Sequence, residues 1–237
     1  MRLAVLVPLL ATYALAACTR TPAILSHSLE NRVHVVATAP ATCPVCSLYA
    51  LHRDSVVRIL TPDGLGAGVI ISADGDVLTS AHVVKGAQPL VMQTYDQVDH
   101  AAEVILIDEH IDLAVVRTIE VPVGWQPIEL AGHEELAVGS SVYVIGHPIG
   151  LGWTVTQGIV SALRPAGEAG PTELIQTDAN ISPGNSGGPL LDERGRLVGI
   201  VRSKLVGAGI GNIAFAVPLP VAAAFLEKRS LRSEPLP

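Results

Sequence analysis

Gly184-Asn185-Ser186-Gly187-Gly188-Pro189 sets a serine among small residues, where its hydroxyl can reach open space. The flanking glycines leave the backbone free to turn N–H groups toward one point at which negative charge can be held. That is a setting for a nucleophile, but glycine and serine also crowd together in ordinary turns, so the rest of the chain has to decide. The string satisfies G-x-S-x-G, a pattern in which an α/β-hydrolase nucleophile precedes both its acid and its histidine. All eight histidines, at 27, 34, 52, 82, 100, 110, 133 and 147, lie before Ser186. No base remains downstream, so the surviving order is histidine, acid, serine.

Two earlier positions fit that order. Leu78-Thr79-Ser80-Ala81-His82-Val83-Val84 puts a histidine just after a strand, beside small residues that leave its ring room. Ile111-Asp112-Leu113-Ala114-Val115 puts an acid at the entrance of an apolar strand, where a carboxylate is costly unless paired, and His82 is the obvious partner. Alone, each residue is more often structural than catalytic. Together with Ser186, in this order, they form a candidate triad of the kind found in chymotrypsin-like enzymes.

The 237 residues suffice for one large β domain or two small ones sharing an interface. Apolar residues make up 49% but aromatics only 3%, so the core has to be built from Val, Ile, Leu and Ala. A net charge of −7 leaves no basic footprint for nucleic acid. Strands are predicted at 55–60, 67–72, 77–79, 104–107 and 113–118, and after the stretch 122–127 at 142–145, 153–163, 174–177, 190–191, 197–204 and 213–217. Asp74-Gly75 marks a tight hairpin in the first series. Two β units of similar size emerge, which indicates an all-β sandwich or barrel, and the only good helix candidate is 221–232.

Residues 1–17 read as a signal peptide: one positive charge at Arg2, then an apolar run too short to span a membrane comfortably. Leu15-Ala16-Ala17-Cys18 resembles a bacterial lipoprotein signal, which makes Cys18 a lipidated N-terminus and a membrane anchor; simple cleavage after Ala16 is the blander reading. Residues 18–48, poor in periodicity and rich in Thr, Ser, Ala and Pro, read as a tether. Lipidation of Cys18 leaves Cys43 and Cys46 as an even pair in an oxidising compartment, which favours a disulfide. A zinc site completed by His34 and His52 competes with it, but their spacing is irregular, and the favoured reading has no metal.

Further matching pieces run from Gly66 to Pro218: Gly66-Ala67-Gly68-Val69-Ile70-Ile71, Ile145-Gly146-His147-Pro148-Ile149-Gly150-Leu151-Gly152, Thr156-Gln157-Gly158-Ile159-Val160-Ser161, Gln176-Thr177-Asp178-Ala179 and Ala214-Phe215-Ala216-Val217-Pro218. With the histidine, acid and serine segments, in this order, they resemble the HtrA (Deg) family of trypsin-like serine proteases. The resemblance implies two six-stranded antiparallel β-barrels with the active site between them. These occupy 49–220 (49–122 and 123–220), followed by a short helix and tail at 221–237. Ala67, Ser182 and Ala214 depart from the family's usual serine, asparagine and glycine, none at a triad position. Only nineteen residues follow Pro218, so the resemblance is to the protease domain without a PDZ domain.

The resemblance also implies roles. His82 is the base, Asp112 holds its tautomer and Ser186 attacks a peptide carbonyl. The backbone of Gly184, Asn185 and Ser186 forms the oxyanion hole, with the Gly184 and Ser186 N–H groups facing the oxyanion. Ile181 and Leu205 line the specificity pocket, and Val201-Arg202-Ser203 is the strand that pairs with substrate. Strand alternation turns Arg202 and Lys204 away from Ser203 and Leu205, and with no carboxylate among the pocket candidates a small or medium aliphatic residue is expected before the cut. The expected protein is therefore an envelope endopeptidase acting on exposed or misfolded polypeptide, trimeric by resemblance, with no metal or organic cofactor. A protease-fold binding or chaperone-like module and an esterase using the same triad are the alternatives.

Overall fold

The computed structural model describes residues 43–120, 125–131, 136–204 and 212–230. The signal peptide, Cys18, most of the tether and Leu205 lie outside the described residues.

Twelve antiparallel strands close into two barrels among the described residues. The first comprises β1 (Val56–Thr61), β2 (Gly64–Ile70), β3 (Asp76–Thr79), β4 (Leu90–Gln93), β5 (Asp99–Asp108) and β6 (Leu113–Thr118), ordered β1-β2-β3-β6-β5-β4 around the barrel. The second comprises β7 (Ser141–Gly146), β8 (Thr154–Arg164), β9 (Leu174–Thr177), β10 (Pro189–Leu191), β11 (Leu197–Lys204) and β12 (Ala214–Pro218), ordered β10-β11-β12-β9-β8-β7. Closure leaves no unpaired edge in either sheet. Short turns fix the register: Thr61 faces Gly64 across Pro62-Asp63, and Gly75, at φ 92°, turns the chain from β2 into β3.

Period-two alternation decides which side chains go where. In β1, Val57 and Ile59 fill the first barrel with Ile70, Val77, Met92, Ala114 and Val116, while Val56 points the other way. In β7, Val142 and Val144 fill the second barrel, while Tyr143 and Ile145 turn outward. The outward set from both barrels, including Val56, Val69, Leu78, Val115, Ile145, Leu191 and Leu197, forms a third apolar cluster with Phe225 of the C-terminal helix. Each such side chain, fully buried, contributes roughly 1.5–3 kcal/mol, so the seam between the barrels is itself a core and holds their facing loops in register.

Two features differ from the sequence expectation. β4 is an additional strand, only four residues long and entered from Pro89, too short to announce itself by periodicity. The predicted C-terminal helix is found at Leu219–Ser230, but it is not alone. α1 (Pro44–His52) runs across the boundary drawn near Leu48, with Cys43 as N-cap and Pro44 in its first turn. Leu48 is buried, and Val45 and Tyr49 pack on the shared cluster, so tertiary contact stabilises a helix whose own pattern is weak. Cys43 and Cys46 form a disulfide at its start. Among the described residues no helix is long and apolar enough to cross a membrane.

Candidate active site

β3 ends at Thr79, and the chain turns at once into the one-turn helix α2 (Ala81–Val84), which carries His82 to the face between the barrels. Thr79 Oγ1 donates to the Ala67 carbonyl (2.7 Å) and Ser80 Oγ to the Val201 carbonyl of the other barrel (3.1 Å), which fixes the turn from both sides. Asp112 precedes β6 in the left-handed region, at φ 60°. A residue with a side chain there costs about 1 kcal/mol or more, and the surroundings hold it in place. Its carbonyl accepts Ala81 N–H (3.2 Å), and its Oδ1 accepts His82 N–H (3.0 Å). His82 Nδ1 lies 3.0 and 2.9 Å from the two carboxylate oxygens. Since the carboxylate can only accept, Nδ1 carries the proton and Nε2 is left as the lone-pair base.

Ser186 lies on the loop between β9 and β10, stitched to both barrels: Ala67 N–H donates to the Ser186 carbonyl (2.8 Å), and Gly187 N–H to the Val201 carbonyl (2.8 Å). Ser186 Oγ donates to the Arg202 carbonyl at 3.2 Å, and no hydrogen bond joins it to His82 among the described residues. Catalytic hydrogen bonds are often unmade before substrate arrives.

Among the described residues, the N–H groups of Gly184 and Ser186 have no protein acceptor. Asn185 N–H does: it donates to the Ser182 carbonyl (3.0 Å), which leaves Gly184 and Ser186 as the two N–H groups without an acceptor in this loop. The loop is braced by the 147–153 segment. His147 N–H donates to the Gly184 carbonyl (3.3 Å) and Ile149 N–H to the Pro183 carbonyl (2.8 Å).

A trypsin-like peptidase domain is the family description that matches, over residues 66–200. The chain belongs to the trypsin-like peptidase family. Its relatives include proteins named as HtrA/Deg-type proteases. It is 43% identical over 164 residues to the periplasmic pH-dependent serine endoprotease DegQ of Escherichia coli, which covers 68% of this chain and 36% of that protein. It is 44% identical over 161 residues to a probable periplasmic serine protease do/HhoA-like of Haemophilus influenzae, covering 65% and 34%. Among solved structures, the HtrA-type protease AlgW with tripeptide superposes at a TM-score of 0.71 with 32% identity, covering 76% of this chain and 62% of that one. The chain thus spans well under half the length of these curated relatives.

Within this peptidase the proposed pocket residues separate. Ile181 is 2% exposed and packs in the second barrel's core with Val142, Val144 and Val160. Val201 is fully buried there, and its N–H and C=O are bonded to Gly188 and Gly187, so it offers a substrate nothing to pair with. Arg202 is partly buried. It lines a cleft of about 470 Å³ with His82, Glu109, Asp112, Ala169 and Leu174, and its Nε is 3.4 Å from Asp112 Oδ2.

Sequence reasoning quoted His147 but gave it no role. In the peptidase its ring is fully buried, accepts Trp153 N–H at Nδ1 (3.1 Å) and packs edge-on against the Trp153 indole. Trp153 Nε1–H donates to the Val56 carbonyl (3.0 Å) and Arg58 Nη2 to the Gly150 carbonyl (3.3 Å), so the first barrel holds the segment that holds the Ser186 loop. Burial pushes the His147 pKa down to about 4; the Val57 backbone opposes this and the Arg58 charge adds to it. The unfolded chain takes up this proton near pH 6.5 and the folded one only near 4. His147 therefore stabilises the fold fully above about 6.5, and its contribution, on the order of 3 kcal/mol, is lost as pH falls through about 4. Urea midpoints from pH 7 to 4 should fall more steeply in the wild type than in His147→Asn, whose amide accepts from Trp153 without titrating. Parallel curves would remove His147 from the account.

Proposed function

We propose that this peptidase is an exported serine endopeptidase that cuts exposed or misfolded polypeptide segments through His82, Asp112 and Ser186. The observation that carries the reading is the His82–Asp112 pair at 2.9–3.0 Å facing a loop whose Gly184 and Ser186 N–H groups are both free. His82 Nε2 takes the Ser186 hydroxyl proton as Oγ attacks the scissile carbonyl. The resulting oxyanion sits on the two N–H groups, each such donor being worth about 3 kcal/mol in the transition state. The proton then passes to the leaving amine. An acyl-enzyme remains, and water attacks it by the same route in reverse.

The N-terminal signal and the periplasmic naming of its relatives support an extracytoplasmic setting. A lipid anchor at Cys18 and a homotrimer belong to the same proposal, the first resting on Leu15-Ala16-Ala17-Cys18 and the second on resemblance. The mass of the mature N-terminus and sedimentation of the soluble domain test them.

Labelling by a fluorophosphonate probe, followed by digestion of casein and of a peptide library, tests the activity. Expected are one label per chain at Ser186, cleavage of casein as well as of a small ester, and, with Leu205 at the pocket as the resemblance implies, cuts mainly after Val, Ala, Ile or Leu. Ester hydrolysis without casein cleavage would favour the esterase reading, and absence of labelling the binding-module reading. Cuts mainly after Lys, Arg or Asp would refute the aliphatic pocket.

A further inference from the structure

We propose that Arg202 is a positioning residue of this site: its guanidinium shares the Asp112 carboxylate with His82 and thereby extends Ser186 reactivity to lower pH. The proposal rests on the peptidase reading above and concerns a side chain to which the resemblance gives no role at the triad. Pairing of β11 with β12 runs Val201 to Ala216 and then Ser203 to Phe215, so Arg202 is the extra residue of a β-bulge. A bulge re-aims the side chain it carries. The re-aimed guanidinium reaches Asp112 Oδ2 at 3.4 Å, the oxygen that also lies 2.9 Å from His82 Nδ1. Gly170 leaves room for it, since a Cβ there would stand 2.9 Å from Arg202 Nη1.

Asp112 is the charged group in contact with the His82 ring, and Arg202 is the cation on the same carboxylate. Glu109 on the cleft wall is bonded to Lys85 (2.7 Å). Of the charges on the strands around α2, Arg58 is bonded to Gln93 and the Gly150 carbonyl, Asp108 to Lys228, and Arg117 to Asp76. When His82 takes the Ser186 proton, two cations face one carboxylate. The carboxylate favours the charged ring and the guanidinium opposes it. Without Arg202 the carboxylate serves the ring alone, so the ring holds a proton up to a higher pH and the neutral, active form is lost earlier on acidification. For one charge at this range beside a half-exposed ring, the acid limb of the activity profile should move up by about half to one pH unit.

The test uses the full chain as wild type, Arg202→Gln and Arg202→Lys, with circular dichroism to establish folding. Two quantities are followed against pH: the rate of Ser186 labelling by the fluorophosphonate, and the His82 ring resonances, assigned by difference from His82→Gln. Arg202→Gln should shift both midpoints upward by about half to one unit, and Arg202→Lys should restore the wild-type midpoints. A packing role alone would lower the rate at every pH and leave the midpoints in place, and that result, or a downward shift, overturns the proposal. The ring titration does not require Ser186 to react. A wild type that fails to label therefore counts against the peptidase reading, while the His82 midpoints still decide the role of Arg202.

Discussion

Replacing Ser186 by alanine is expected to lower kcat/KM on casein by at least about 10⁴-fold with the fold intact, and His82→Ala to do the same. The double replacement should fall little further, because nucleophile and base act as a unit and either loss removes the covalent route. Asp112→Asn tests the third member more sharply. Asp112 Oδ1 is anchored by His82 N–H at 3.0 Å, so an asparagine oxygen should stay on that bond and its NH₂ would then face His82 Nδ1. A donor facing Nδ1 favours the tautomer with the proton on Nε2, which cannot accept from Ser186, and about 10⁴-fold is again the expected loss. Folding is followed by circular dichroism and rates by peptide release. A Ser186→Ala protein that digests casein at the wild-type rate would sink the assignment of the nucleophile.

The chain order of eight histidines, one strand-entrance acid and one glycine-flanked serine made the site legible, because each of these is a local pattern with a chemical reason. The barrels were legible for a similar reason: alternation at Val56-Val57 or Val142-Tyr143 is a statement about two apolar faces that local sequence carries. What was not legible depends on contacts distant in the chain. β4 takes its register from β1 and β5 rather than from its four residues, and α1 is held by Leu48 against a cluster drawn from both barrels. The aim of Arg202 follows from one extra residue between two ladder pairs, which no periodicity shows. That the Asn185 N–H turns back to Ser182 within the 182–186 loop is likewise a matter of loop conformation that the residue types do not show. His147 could have been found by asking why a histidine stands in the segment matched before Gly150, but its burial comes from Trp153 and the first barrel.

Gly184→Val should remove most of the activity without altering the triad. Gly184 sits at φ 101°, where a residue with a Cβ is strained, and a Cβ built there would stand 2.1 Å from the His147 carbonyl oxygen and 2.7 Å from Leu65 Cδ1. The carbonyl belongs to the segment braced by Trp153 and Arg58 against the first barrel, so it cannot simply retreat. The loop has to give instead, and a rotation of the 184–185 backbone that relieves the clash swings the Gly184 N–H away from the developing oxyanion. One lost donor of this kind is worth about 3 kcal/mol in the transition state, so kcat should fall by about 10²- to 10³-fold with a much smaller change in KM. His82 and Asp112 lie on the other barrel and hold each other through three contacts of 2.9–3.0 Å, so a low-field Nδ1–H resonance should persist in the variant. Fluorophosphonate labelling should slow in parallel with kcat, because the phosphonyl oxygen uses the same hole. If Gly184→Val keeps more than about a third of the wild-type kcat, the two free N–H groups are not the oxyanion hole, and stabilisation of that charge must be sought elsewhere in the cleft.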